Sequence, residues 1–178
     1  MELEWAEEKR SVREGYVVLL RAHAELLLPD ASYPVIRSFY QRIAEACMSW
    51  TVEVFGERVR AHFLSLADIR EKSRFRTLQY RFRMRSPWQN DSHITLLCES
   101  ERTELDGTVD FFRICHTWNI EEETVLPLGQ ILPLIETRFS KKELPFLPDG
   151  IYREGDHVVV YQNKTSVHPY LEAKLPIK

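Results

Sequence analysis

The chain has 178 residues, 44% of them hydrophobic and 29% charged, which suits one globular domain large enough to bury most of its apolar surface in one core. Its net charge of −3 gives no molecule-wide attraction to nucleic acid or anionic lipid. No run approaches the ~18 consecutive apolar residues of a membrane-spanning helix.

Met1 to Arg10 is acidic and polar, without a basic stretch leading into an apolar one, so no secretory leader is read there. A cytoplasmic location is expected; the alternative is an extracytoplasmic chain whose leader or anchor was removed. Glu4 to Arg10 reads as a short first strand at a sheet edge. Tyr16 to Leu28 alternates, with Tyr16, Val18, Leu20, Ala22, Ala24, Leu26 and Leu28 on one face, and Pro29-Asp30 ends it.

Ser32 is positioned to cap the next helix, with Pro34 in its first turn. Ile36, Phe39/Tyr40, Ile43, Cys47, Trp50 and Val54 recur at three- and four-residue steps, a stripe that should lie on a sheet. Gly56 bends this helix or divides it from a continuation through Val59, Phe63 and Leu66. From Arg74 to Arg85 the period changes to two, with Leu78, Tyr80, Phe82 and Met84 on one face and Gln79, Arg81, Arg83 and Arg85 on the other. Ser86 to Asp91 is a turn cluster, His93 to Glu104 the return strand, Leu105-Asp106-Gly107 another turn and Thr108 to Ile120 a third strand, together an antiparallel meander.

Thr124 to Leu128 is short and strand-like, and Leu128 to Phe139 reads as a helix with a further turn near Ser140 to Leu144. Gly150 to Arg153, His157 to Gln162 and Leu171 to Ile177 close the chain as strands. Composition does not shift enough to mark a linker, so one domain over 1–178 is expected. The fold class that follows is α+β: an antiparallel β-sheet of about five to seven strands, with one long helix (Ser32 to Leu66) and shorter helices packed on it. Its expected core includes Phe39, Ile43, Trp50, Tyr80, Phe82, Phe112 and Val159. On that assignment Trp50→Ala costs ~3–5 kcal/mol.

The sharpest local chemistry is the basic run Arg70, Lys72, Arg74, Arg76, Arg81, Arg83 and Arg85 with Phe75, Tyr80 and Phe82 among it. Arginine interleaved with aromatics on a sheet suits single-stranded nucleic acid. Here the rings and the later arginines alternate onto opposite faces, and Glu99, Glu101 and Glu104 on the return strand come opposite through a hairpin centred near Trp88–Gln89. Cross-strand ion pairs are therefore the expectation, and nucleic acid is not an expected partner.

The six histidines show no HxH or HExxH spacing, and no metal site is expected. His116 and Trp118 share one face of a strand and read as core or rim packing. Cys47, Cys98 and Cys115 are odd in number and lack CxxC spacing; Cys98 and Cys115 are expected as reduced, buried thiols on neighbouring strands. Glu121-Glu122-Glu123 reads as a solvated charge run. Asn163-Lys164-Thr165 fits the glycosylation pattern, which has meaning only on a secretory route. With no GxSxG elbow, P-loop or GxGxxG, no catalytic, cofactor-binding or metal-ligating residue is assigned.

The order of residues in the C-terminal third resembles the RsiV-like domain, found outside the membrane in lysozyme-sensing anti-sigma factors and in some peptidoglycan deacetylases. The matching residues are Trp118-Asn119-Ile120, Val125-Leu126-Pro127-Leu128, Ile131-Leu132, Gly150-Ile151, Val158-Val159-Val160-Tyr161, Pro169-Tyr170 and Leu175-Pro176-Ile177. Leu28-Pro29 to Tyr33-Pro34 also fits the family's strand-to-helix passage, so the resemblance spans most of the chain. The family's Gly-Gly-Ala-His turn is replaced here by Glu104-Leu105-Asp106-Gly107. The resemblance implies an α+β fold and a non-catalytic binding or sensing role, with a protein or a cell-wall fragment as ligand. The competing expectation is a small hydrolytic enzyme with a distributed pocket, whose residues come from separate strands and leave no local motif.

Overall fold

The computed structural model describes residues 1–134, 146–166 and 168–177. The expected helix end at Phe139 and the turn at Ser140 to Leu144 lie outside the described residues. The chain is α+β, with a six-stranded sheet in the order β1-β2-β3-β4-β5-β6 and a second, three-stranded sheet in the order β7-β8-β9. The strands are β1 (Leu3–Glu14), β2 (Val17–Pro29), β3 (Leu78–Gln89), β4 (His93–Thr103), β5 (Val109–Asn119), β6 (Thr124–Val125), β7 (Gly150–Glu154), β8 (His157–Gln162) and β9 (Leu171–Pro176).

Between β2 and β3 runs one helical passage: α1 (Pro34–Trp50), a π-helical turn (Thr51–Phe55) and α2 (Gly56–Ser65), followed by the short α3 (Ile69–Arg74). A further helix, α4 (Leu128–Leu134), follows β6. Because this passage crosses over the sheet, β2 and β3 pair parallel, with Leu20 opposite Leu78 and Ala24 opposite Phe82. The expectation of an all-antiparallel sheet is corrected at this one pair. A parallel pair needs a long crossover, and the helix supplies it.

Ser32 does not cap α1. Tyr33 occupies the cap position without a side-chain hydrogen bond. The exposed donors at the helix start are met from a distance in sequence: the Glu123 carboxylate accepts from the Val35 N–H at 2.8 Å and the Ile36 N–H at 3.0 Å. Glu123 holds φ +48°, a left-handed conformation that aims its side chain from the β5–β6 turn at the helix. The acidic run is thus not uniformly solvated; its last member offsets the positive end of α1.

The buried face of the helical passage reads Ile36, Tyr40, Ala44, Met48, Thr51, Phe55, Val59 and Phe63. These steps of mostly four residues run ahead of the 3.6-residue period, and the π turn lets the stripe stay on the sheet. Trp50 therefore falls onto the flank, 41% exposed, stacked on Phe55 with the Arg102 guanidinium 4.8 Å over its ring. The expectation that Trp50 is core is corrected, and Phe39 and Ile43 are only partly buried against the core. Gly56 lies inside the helix where a Cβ would sit 2.6 Å from Val12 Cγ2, so glycine there permits close contact of helix and β1.

Tyr80 and Phe82 are buried in this helix-side core as expected, with Leu20, Ala22, Ala24, Leu26 and Leu28 of β2. Tyr16 stands in the β1–β2 turn and is fully exposed. Phe112 is 46% exposed: the helical passage packs over β1 and β2 and leaves this end of β5 uncovered. The β3–β4 turn lies at Asn90–Ser92 rather than at Trp88–Gln89, because β3 continues past Pro87 through a register shift between Arg85 and Trp88. Pro87 is accommodated there without a ladder bond.

The three closing strands do not extend the first sheet. They form the second sheet, which packs on the face opposite the helices and touches β3 and β5. Leu97, Tyr152, Val159 and Tyr161 make the buried contact between the two sheets, so Val159 is core, but of this layer. Gly150 sits opposite Tyr161 across the β7–β8 pair, and a Cβ there would meet the Tyr161 ring at 2.3–2.6 Å.

Candidate functional site

The pleat sends alternate residues of β1 to β5 to the face away from the helices. Register then aligns them in rows: Ser11–Arg21–Gln79, Lys9–His23–Arg81–Glu101 and Glu7–Glu25–Arg83–Glu99–Arg113. The second sheet covers the β3–β5 side of this face, and the β1–β2–β3 side is left open.

The covered half is sealed around Arg113, whose side chain is 9% exposed. Its guanidinium bonds Glu99 at 2.5 Å and Glu172 of β9 at 2.6 Å. The rings of Phe111, Tyr152, Tyr161 and Tyr170 stand 5.3–5.6 Å from it. Desolvation opposes its charge, and Tyr152, the Glu172 and Glu99 carboxylates and Tyr170 together outweigh that, so its pKa is raised. This aromatic enclosure is filled by the protein's own arginine and offers no room to a ligand cation.

The same junction completes the free edge of β5. Asn163 accepts from the Arg113 N–H at 2.8 Å and donates to the Arg113 carbonyl at 2.7 Å, so its side-chain amide stands in for a neighbouring strand. Tyr161 Oη accepts from the Cys115 N–H at 2.8 Å. Buried backbone groups that a missing strand would strand are thereby paired. Asn163 is 7% exposed and committed to these bonds, which leaves no acceptor for a glycan.

The open half holds a shallow cleft of about 490 Å³ lined by Lys9, Ser11, Arg13, Arg21, His23, Gln79 and Arg81, together with Arg10, Val18 and Ala22. Glu7 holds Lys9 at 2.7 Å and His23 at 2.6 Å at its rim, and these contacts keep the Glu7 carboxyl below its ordinary value. Among the described residues no carboxylate lies within ion-pair distance of Arg13, Arg21 or Arg81. Arg81 faces Glu101 in register without pairing to it, while Arg83 turns to Glu25 on β2 at 2.9 Å. Arg85 does reach Glu99, at 3.5 Å, and also Glu154 of β7. The expected pairing of the arginine strand with the glutamate strand thus holds at Arg85 alone; the parallel neighbour β2 supplies the other partner.

Arg70, Lys72 and Arg74 lie on α3, away from the sheet arginines, so the basic run is divided between two places. On the helix side, Tyr40 Oη accepts from Trp118 Nε1 at 2.9 Å and stands 3.2 Å from His116 Nδ1, with Phe39 edge-on to all three rings. Burial lowers the His116 pKa and holds the ring neutral. With Tyr40 donating to Nδ1, every polar atom of this cluster that the structure brings together is satisfied. Cys98 faces the helices and Cys115 the second sheet, so the two thiols are separated by the sheet itself; all three cysteines are free. Burial raises the Cys98 thiol and pushes Cys115 up to about 11.

With this arrangement in view, the chain is similar in fold to two solved structures. One is a DUF3298 family protein from Pseudomonas aeruginosa PAO1, with a TM-score of 0.56 and 12% identity over 98% of this chain and 89% of that one. The other is a member of the DUF3298 family from Bacteroides fragilis NCTC 9343, with a TM-score of 0.59 and 10% identity over 98% and 90%. No family model and no curated protein matches the sequence. DUF3298 proteins are related to RsiV-like domains, so these neighbours agree with the resemblance at the level of fold. Among the described residues no three His, Cys, Asp or Glu side chains gather as metal ligands, and no helix is long and apolar enough to cross a membrane. The basic cleft was not visible as such in the sequence, because it needs β1, β2 and β3 side by side and the β2–β3 pairing is long-range.

Proposed function

We propose that this chain is a non-catalytic binding module whose ligand, a protein or a cell-wall-derived molecule, is engaged on the open half of the outer sheet face. The observation that carries the reading is the cleft floored by Arg13, Arg21 and Arg81, three guanidiniums without a carboxylate partner among the described residues. A protein of net charge −3 that leaves cations unpaired on one rigid surface holds them ready for an outside anion. The remaining chemistry of the chain supports binding over turnover. The cysteine thiols are raised by burial and stay protonated, which makes them weak nucleophiles. His116 is occupied with Tyr40.

Titration calorimetry of the full chain against muropeptides and candidate protein partners tests the reading, run beside an Arg21→Glu variant and a hydrolase screen. Binding that the charge reversal weakens at least tenfold is the expected result. Turnover of any screened substrate, abolished by one substitution that leaves the fold intact, overturns it in favour of an enzyme with a dispersed site.

A further inference from the structure

The cleft's chemistry narrows its ligand further, an inference that rests on the binding-module reading above. Its charged side chains are all basic: the guanidiniums of Arg13, Arg21 and Arg81 and the Lys9 ammonium stand beside His23, Ser11 and Gln79, with Arg10 and the apolar Val18 and Ala22 completing the lining. Among the described residues no Asp or Glu lines it; Glu7 at its rim is engaged by Lys9 and His23, and Glu101 stands across the strand pair from Arg81 without an ion pair to it. A floor of this kind suits a ligand rich in acceptors. An acidic peptide brings backbone N–H donors for which the cleft's side chains offer few acceptors, chiefly the Ser11 hydroxyl and the Gln79 carbonyl.

No Phe, Tyr or Trp lines the cleft among the described residues. The rings of the arginine strand, Tyr80 and Phe82, are buried on the opposite face. Single-stranded nucleic acid gains much of its affinity by stacking bases on exposed rings, and a sheet face without them forgoes that contribution. Neither nucleobases nor acidic peptides match the surface, and phosphate groups do. Arginine forks match phosphate oxygens two at a time.

Register sets the spacing. Ser11 pairs with Arg21 and Gln79 with Arg21, while Arg13 lies two residues from Ser11 and Arg81 two from Gln79. Arg13, Arg21 and Arg81 therefore form a diagonal across three strands, with a backbone step of roughly 7–8 Å from Arg21 to Arg81 and a step from Arg13 to Arg21 that crosses the register shift after Val12. Long arginine side chains on such a diagonal can each meet a separate phosphate of a diester-linked polymer. From the basic lining, the absence of Phe, Tyr and Trp among the described lining residues and this diagonal, we infer that the cleft binds a phosphodiester polymer with an aliphatic backbone and no bases, one phosphate to each arginine.

The test is fluorescence anisotropy of the full chain with a labelled glycerol-phosphate oligomer, at several salt concentrations. Single-stranded DNA with the same number of phosphates, and poly-glutamate of equal charge, serve as competitors. Three neutralised phosphates predict a slope of log K against log salt of roughly −2. Arg21→Gln and Arg81→Gln should each weaken binding about tenfold, the scale of one charge-assisted contact. Arg70→Gln, on α3 and outside the cleft, should leave binding unchanged, and circular dichroism of all three variants should match the parent. The inference is overturned if the oligomer does not bind, if DNA or poly-glutamate displaces it at lower concentration than the unlabelled oligomer, or if the two cleft variants bind as the parent does. A muropeptide or protein that binds in calorimetry while the oligomer fails leaves the binding-module reading standing and removes only this ligand class.

Discussion

Arg113 is the residue on which the two sheets meet, because its guanidinium joins Glu99 of β4 to Glu172 of β9 inside a ring of aromatic side chains. Removing it leaves two carboxylates without their cation in a poorly hydrated place. Arg113→Ala should therefore cost ~3–5 kcal/mol, measured by denaturant unfolding. Trp50 makes the contrasting case. It keeps a stacking contact with Phe55 and the Arg102 cation, but much of its ring faces solvent. Trp50→Ala should cost about 1 kcal/mol, the scale of an exposed cation–π contact, rather than the larger value of a core aromatic. Sequence periodicity could place Trp50 on the stripe but not foresee the π turn that rotates the stripe away from it. The Arg113 enclosure was hidden for another reason: its rings come from β5, β7, β8 and the segment before β9, which alternation along one strand does not connect.

At the scale of elements, the strands and the main helix were legible because each carries its own period, and β3 shows this most cleanly, with Leu78, Tyr80, Phe82 and Met84 buried in turn. What joins elements was less legible. The cap of α1 was sought in Ser32, its sequence neighbour, and lies instead in Glu123, far along the chain. Glu123→Ala should destabilise the protein by ~0.5–2 kcal/mol, as for a lost helix cap, and the loss should show as faster amide exchange in the first turn of α1. Unchanged exchange there would place the carboxylate's role elsewhere. The open basic cleft was unreadable for the same reason as the cap. It depends on a parallel pairing of β2 with β3, which local pattern does not specify.

For the whole molecule, the six-stranded sheet separates two buried layers, one under the helices and one under the second sheet. A fragment of residues 1–109 lacks both β5 and the second sheet, and should show no cooperative unfolding transition. The second sheet is also where acid should act. The Glu154 carboxyl is held below its ordinary value by Arg85 and then Lys174; that of Glu172 is lowered although burial opposes it, because Tyr170 and Arg113 bond it. A carboxyl lowered in the folded state contributes stability that is complete above its unfolded value, near 4.5, and is lost as pH falls through the folded value. The melting temperature should hold steady from neutral pH toward 4.5 and fall below it. Glu172→Gln should lower it at neutral pH and flatten that acid limb.

The account as a whole rests on a divided sheet face, one half sealed by the protein's own arginine and the other open for a ligand. Side-chain NMR of the arginine Nε–H groups measures this division directly, during titration with the glycerol-phosphate oligomer or any ligand found by calorimetry. The Arg13, Arg21 and Arg81 signals should shift together while Arg113 stays fixed. Shifts at Arg113, or on the outer side of α1 with the three cleft arginines unmoved, would contradict it.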